Sequence, residues 1–199
     1  MSAPGADGLE PERLTARFFH LEKLPVAQRS GLTRSDFDEI SAALSGSDLE
    51  LLDRFRDEFD DALDGAADAL LAEHAVREQL GRLPLSHGDT IVAFGDSITD
   101  DALSWANQLA LVLERGRPDL DVRVVNAGYT GDTTQEAISR LDLILEHSPA
   151  WVIQLLGTND ARRHGTSAVR TTSLHETRRN IRVLRRVLAD AGVRHLVMT

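Results

Sequence analysis

The chain has 199 residues, no cysteine and a formal net charge of −10, with 42% apolar and 27% charged side chains. That length holds one ordinary domain plus an extension, and the composition is that of a globular protein. The absent cysteines exclude disulfides and thiolate metal sites, and the negative charge argues against a nucleic-acid backbone or an anionic membrane as the main partner.

No apolar run is long enough to span a bilayer. The start, from Met1 to Glu10, has neither a basic n-region nor an apolar h-region. The expectation is therefore a cytoplasmic chain without a signal peptide, with residues 1–8 disordered. Residues 1–88 hold 18 acidic and 9 basic side chains, a net of −9, whereas residues 89–199 hold 14 and 13, a net of −1. Such asymmetry marks two units, a helical amino-terminal region at 1–85 and an α/β domain at 86–199.

Within the first unit, Leu14, Phe18 and Leu21 suggest a short helix over 10–24, with a connector over 25–32. A second short helix spans 35–44 and ends near Gly46. Ser47 and Glu50 have the form of a capping box opening a long helix. Its stripe of Leu52, Phe55, Phe59, Leu63, Ala66 and Leu70 repeats every three or four residues, continues to about Leu80, and must face a partner. The acids Asp53, Asp57, Asp60, Asp61, Asp64 and Asp68 line another side. They read as a solvated face, and they are expected to dock against Arg178, Arg182, Arg185 and Arg186 of a later helix.

From Thr90 the pattern alternates strand and helix. Residues 90–94 form an apolar run that stops at Gly95; a turn, Gly95-Asp96-Ser97, and a helical pattern through Leu103, Trp105 and Leu109 follow. A second strand over 122–126 ends in Ala127-Gly128, and a helix runs over 134–146. A third strand over 151–156 ends in Gly157-Thr158-Asn159-Asp160. Ser173 and Glu176 cap a helix through Leu188, and residues 195–199 form a fourth strand. This alternation implies right-handed βαβ units and a parallel sheet. Ser97, Gly128 and Asn159 each follow the carboxyl end of a strand, the edge where open α/β sheets bind ligands. A serine beside a helix start, a glycine N–H and an asparagine amide can together serve acyl transfer through an oxyanion hole. Taken alone, Gly95-Asp96-Ser97 reads equally well as a turn with an N-cap.

The three motifs, in this order and spacing, resemble the SGNH (GDSL-type) hydrolase family over about residues 90–199. Ile98 stands where the name motif has leucine. The resemblance implies a three-layer, flavodoxin-like fold with strand order 2-1-3-4-5, without metal or organic cofactor. It implies that Ser97 is the nucleophile and that the N–H groups of Ser97 and Gly128 and the amide of Asn159 hold the oxyanion. Asp96 and Asp160 would hold their loops by local hydrogen bonds. The family's base is a His oriented by an Asp in a D-x-x-H motif after a fifth strand, and no D-x-x-H occurs in these 199 residues. The sheet is therefore expected to be incomplete, with an open edge at the fourth strand that invites self-association. Of the seven histidines, His164 alone falls in a loop at the carboxyl edge, where Arg162-Arg163-His164-Gly165 reads as a rim. The implied function is hydrolysis of a small ester or O-acyl substrate; the alternative is a binding module that holds an acyl group without turnover.

Overall fold

The computed structural model describes residues 11–24, 27 and 30–198; the segment expected to be disordered and part of the 25–32 connector lie outside them. The amino-terminal part is helical. Helix α1 (Pro11–Phe18) leads into a 3-10 turn (Leu21–Lys23), then α2 (Arg34–Ser45), α3 (Leu49–Ala72) and α4 (His74–Gly81). Thr33 and Asp36 form a capping box at α2, and Gly46 ends it in a left-handed conformation, φ 70°. At α3 the cap is Asp48, which accepts from the Leu51 N–H at 2.7 Å, one position after the expected Ser47. The long helix also breaks earlier than its apolar pattern implies, at Glu73, where ψ is 125°.

The second part alternates as expected. Strand β1 (Thr90–Gly95) is followed by the one-turn α5 (Ser97–Asp100), α6 (Trp105–Gly116) and β2 (Arg123–Gly128). Next come α7 (Thr134–Ser139) and α8 (Leu141–Glu146), which divide at Arg140 what the sequence suggested as one helix. Then follow β3 (Trp151–Leu155), α9 (Thr158–Ala161), a small hairpin of β4 (Arg163–His164) and β5 (Val169–Arg170), α10 (Leu174–Asp190) and β6 (Arg194–Val197). The four long strands pair in parallel in the order β2-β1-β3-β6. This is the expected order, with β6 in the fourth place.

Strand alternation divides the core. Val92 and Phe94 of β1 and Val152 of β3 point to one face, against Ala137, Leu141 and Ile144 of α7–α8 and Leu184 and Leu188 of α10. Ile91 and Ile153 point to the other, against Val112 and Leu113 of α6, Ala67 of α3 and Leu80 of α4. The result is three layers, and the amino-terminal helices thicken one of them. Phe59 and Leu52 on the α3 stripe are 2% and 0% exposed; burial of each contributes roughly 1.5–3 kcal/mol.

The acidic side of α3 does not meet α10, because the sheet separates them. A right-handed crossover that brings β6 alongside β3 leaves α10 on the face opposite α6. Asp64 and Asp68 instead pair with Arg115 of α6, Asp68 at 2.8 Å. At the β6 edge Leu196 and Val197 are exposed.

Candidate active site

Gly95 is in register with Gly128 on one side and Leu155 on the other, so the three motifs leave the sheet at one edge. They are also stitched together. The Tyr129 N–H donates to the Gly95 carbonyl at 3.0 Å, and the Asn159 side-chain amide donates to the Asp132 carbonyl at 2.9 Å.

Ser97 opens α5 after the N-cap Asp96, whose Oδ1 accepts from the Ile98 N–H at 3.0 Å. The longer helix expected here is two pieces, α5 and α6. A single turn supplies free N–H groups but little macrodipole. The Ser97 hydroxyl is half-buried and has no hydrogen-bond partner among the described residues. Asp96 is fully buried, and its Oδ2 is without a partner among the described residues. Burial pushes its carboxyl above the ordinary range, and the nearby Asp160 adds to this.

Gly128 is buried, and its N–H donates to Asn126 Oδ1 at 3.0 Å. A Cβ there would lie 2.3 Å from the Asp100 nitrogen and 2.5 Å from the Thr99 carbonyl carbon. The requirement for glycine is thus close backbone packing against α5. Gly131, three residues on, lies in open space with φ +93°. It immediately precedes Asp132, whose carbonyl holds Asn159. Both glycines of the loop lie near the site in the sequence, and the resemblance pointed to Gly128; Gly131, in a Gly-Asp-Thr-Thr context, makes a left-handed turn just before the Thr133 cap of α7.

Asp160 acts beyond its own loop. It accepts from the Thr134 N–H and hydroxyl at 2.9 and 2.6 Å and from the Thr177 hydroxyl at 3.0 Å, tying α9 to α7 and α10. Asp132 is buried against Arg140; burial outweighs that partner and pushes its carboxyl up to about 6.

The far side of the Ser97 turn is held by the amino-terminal segment. Arg17 grips Asp101 with two hydrogen bonds of 2.7 Å, and the Ala102 N–H donates to the Arg17 carbonyl at 3.0 Å. Asp100 meets His20 Nδ1 at 2.8 Å and Lys23 Nζ at 2.6 Å, and accepts from the Thr130 N–H and hydroxyl at 3.0 and 2.7 Å. Burial alone would raise the Asp100 carboxyl; His20 and Lys23 outweigh it and bring it down to about 2. His164 lies exposed in β4, and His195 Nε2 is 3.1 Å from Gln154 Oε1 inside the sheet.

A parallel α/β sheet with a serine turn, a glycine loop and an asparagine at one edge defines the class of SGNH hydrolase folds. The chain belongs to the GDSL-like lipase/acylhydrolase family, whose family model matches residues 93–198. It is 36% identical over 76 residues to thioesterase 1/protease 1/lysophospholipase L1 of Escherichia coli, covering 38% of this chain and 36% of that protein. It is 38% identical over 81 residues to esterase TesA of Pseudomonas aeruginosa, covering 37% and 39%. The matches thus span well under half the length of these curated relatives. Among solved structures, a variant of an acetyl xylan esterase from Geobacillus stearothermophilus superposes with a TM-score of 0.53 at 25% identity, over 59% of this chain and 62% of that one. Two further variants of that esterase, each described as a catalytic mutant, replace an Asp and a His by alanine.

Proposed function

We propose that this chain carries the nucleophile and oxyanion hole of a serine hydrolase acting on a small ester or O-acyl substrate. The carrying observation is that hydrogen bonds stitch three strand-end motifs together at one sheet edge, with a serine hydroxyl among them that has no partner among the described residues. Ser97 Oγ attacks the carbonyl carbon, and its proton passes to a base. The oxyanion is held by the N–H of Ser97, the N–H of Gly131 and the Asn159 amide. Asn159 uses one of its two Nδ2 hydrogens on Asp132, and the other is free for the oxyanion. In this reading Gly131 takes the place first expected for Gly128, whose N–H already has a partner. The proton then goes to the leaving alkoxide as its C–O bond breaks, and water releases the acyl group from Ser97 by the same steps.

The base is a histidine oriented by an aspartate, as the catalytic variants of the acetyl xylan esterase support. That pair is missing from these 199 residues, which contain no D-x-x-H. A serine is a poor nucleophile without it. The test is hydrolysis of an activated aryl acetate by the 199-residue chain and by a version extended through a family Asp-x-x-His segment. The extended form is expected to hydrolyse it in a Ser97-dependent way. Saturable binding of the ester without Ser97-dependent turnover in the extended form would favour the acyl-binding module instead.

A further inference from the structure

The segment between α9 and α10 breaks two local rules at once. Its hairpin, β4 with β5, pairs Arg163 with Arg170 directly across the strands, and His164 with Val169. Residues in register on neighbouring strands share a face, so both arginine side chains leave the same side, and like charges placed opposite one another destabilise a strand pair. At the turn, Ala168 takes φ 52°, a left-handed conformation that is costly for a residue with a Cβ. Packing offsets neither cost, because every residue from Ala161 to Thr171 is exposed. Local strain of this kind collects at ligand-binding positions.

The charge is also uncompensated. Asp160 is turned inward, onto the Thr134 and Thr177 hydroxyls at 2.6 and 3.0 Å. Glu176 is held in the cap of α10, where it accepts from the Ser173 hydroxyl at 2.7 Å. Among the described residues no carboxylate pairs with Arg162, Arg163 or Arg170. Residues 161–190 hold eight arginines and two acidic side chains, a net of +6 in a chain of −10. This positive segment starts at the reacting edge. The Arg162 N–H donates to the Asn159 carbonyl at 3.2 Å, and Arg163 stands one position further on, about 14 Å from Asn159 at most along the chain. A neutral ester has no use for such charge. An anionic one approaches a protein of its own sign and gains from a local field of the opposite sign.

We propose that Arg163 and Arg170, with Arg162 beside them, bind a carboxylate or phosphate on the ester substrate, so that the hairpin selects charged esters over neutral ones. The planar fork of N–H donors on arginine matches the paired oxygens of either anion. That the anion belongs to the ester rests on Ser97 being the nucleophile.

Two measurements separate the anion site from the esterase reading. The 199-residue chain is titrated with phenyl phosphate, benzoate and neutral benzamide while the Gly165 and Val169 amide NMR signals are followed. The two anions are expected to shift those signals saturably, and added salt to weaken the effect, whereas benzamide leaves them in place; the order of the two anions tells phosphate from carboxylate. The extended form is assayed on p-acetoxyphenyl phosphate, p-acetoxybenzoate and p-tolyl acetate, which share one acyl group. Arg163→Ala with Arg170→Ala is expected to lower the preference for the anionic esters about tenfold, the effect of two exposed charge pairs. Comparing variant with parent cancels the different intrinsic reactivities. Arg163→Lys with Arg170→Lys, which keeps the charge without the fork, should fall in between. A merely structural role would instead lower the melting temperature, whereas relieving like charges on an exposed hairpin leaves it unchanged or raised. Anions that move no hairpin signal, or Ser97-dependent turnover whose charge preference survives both alanines, overturn the proposal. Saturable anion binding at the hairpin without Ser97-dependent turnover in the extended form overturns the esterase reading and leaves the anion site standing.

Discussion

Replacing Asp100 by asparagine tests whether the amino-terminal segment is fastened to the serine turn by charge. The carboxyl sits at about 2 in the folded protein, against an ordinary 3.8. A carboxyl with a depressed folded value contributes stability that is fully present above 3.8 and is lost as the pH falls through 2. The difference of nearly two pH units corresponds to about 2 kcal/mol at pH 7, at 1.36 kcal/mol per unit. At pH 3, where the unfolded chain is already mostly protonated, the same linkage leaves about 1 kcal/mol. Asp100 is 2% exposed, so solvent screens little of this, while His20 and Lys23 remain about one-fifth exposed and can turn to water when it is neutralised. Urea unfolding of the parent and of Asp100→Asn, followed by circular dichroism at pH 7 and pH 3, measures both figures. The expected result is a cost of about 2 kcal/mol at pH 7 that roughly halves at pH 3. Equal midpoints at pH 7, or a cost that does not shrink in acid, would refute the argument. Lys23→Met should cost clearly less in the Asp100→Asn background than in the parent, because the two side chains touch.

Gly128→Ala should cost about 3 kcal/mol or more, because its Cβ would collide with backbone that cannot rotate away. Gly131→Ala has open space and should cost only the left-handed backbone penalty of about 1–2 kcal/mol; thermal melts giving the reverse order would contradict the packing described. The 199-residue chain should turn over an aryl ester slowly and without an acyl-enzyme burst, and Ser97→Ala should change that rate little. In the extended form the same substitution should lower kcat by a factor on the order of 10⁶, so a fast Ser97-dependent burst from the shorter chain would point to a base within it, with His164→Ala the next variant to assay. Concentration-dependent association through β6 is expected in sedimentation experiments and should be relieved by Val197→Lys, which puts a charge on the exposed edge; a monodisperse parent at high concentration would count against it.

The fold was legible because its signals are local. Apolar runs of strand length, each stopped by glycine and followed by a helical period, sit within a few residues of one another, while the strand order was implied by the family resemblance alone. The place of Ser97 and Asn159 at one sheet edge was legible for the same reason, since each stands just past such a stop. That the Gly128 N–H is already taken was not, because it turns on whether the Asn126 side chain folds back onto it. Asp48 and Ser47 are both good caps, and only the path of the chain selects one. The break at Glu73 lies in a sequence without proline or glycine at that point and carries no local signal. Least legible of all were Arg17, His20 and Lys23, whose partners stand 84, 80 and 77 residues further along the chain.

Those separations bear on the order in which the molecule assembles. Closing the 84-residue loop between Arg17 and Asp101 costs about 1 kcal/mol more chain entropy than closing the 27-residue loop between Asn126 and Thr99. Contacts between distant parts of a chain form slowly and are rewarded only after intervening structure exists. The β1–β2 pairing, with its shorter loop, can nucleate without α1. The serine turn therefore reaches its final rigidity late in folding, when the amino terminus arrives, and α1 acts as the last latch on a sheet that is already built.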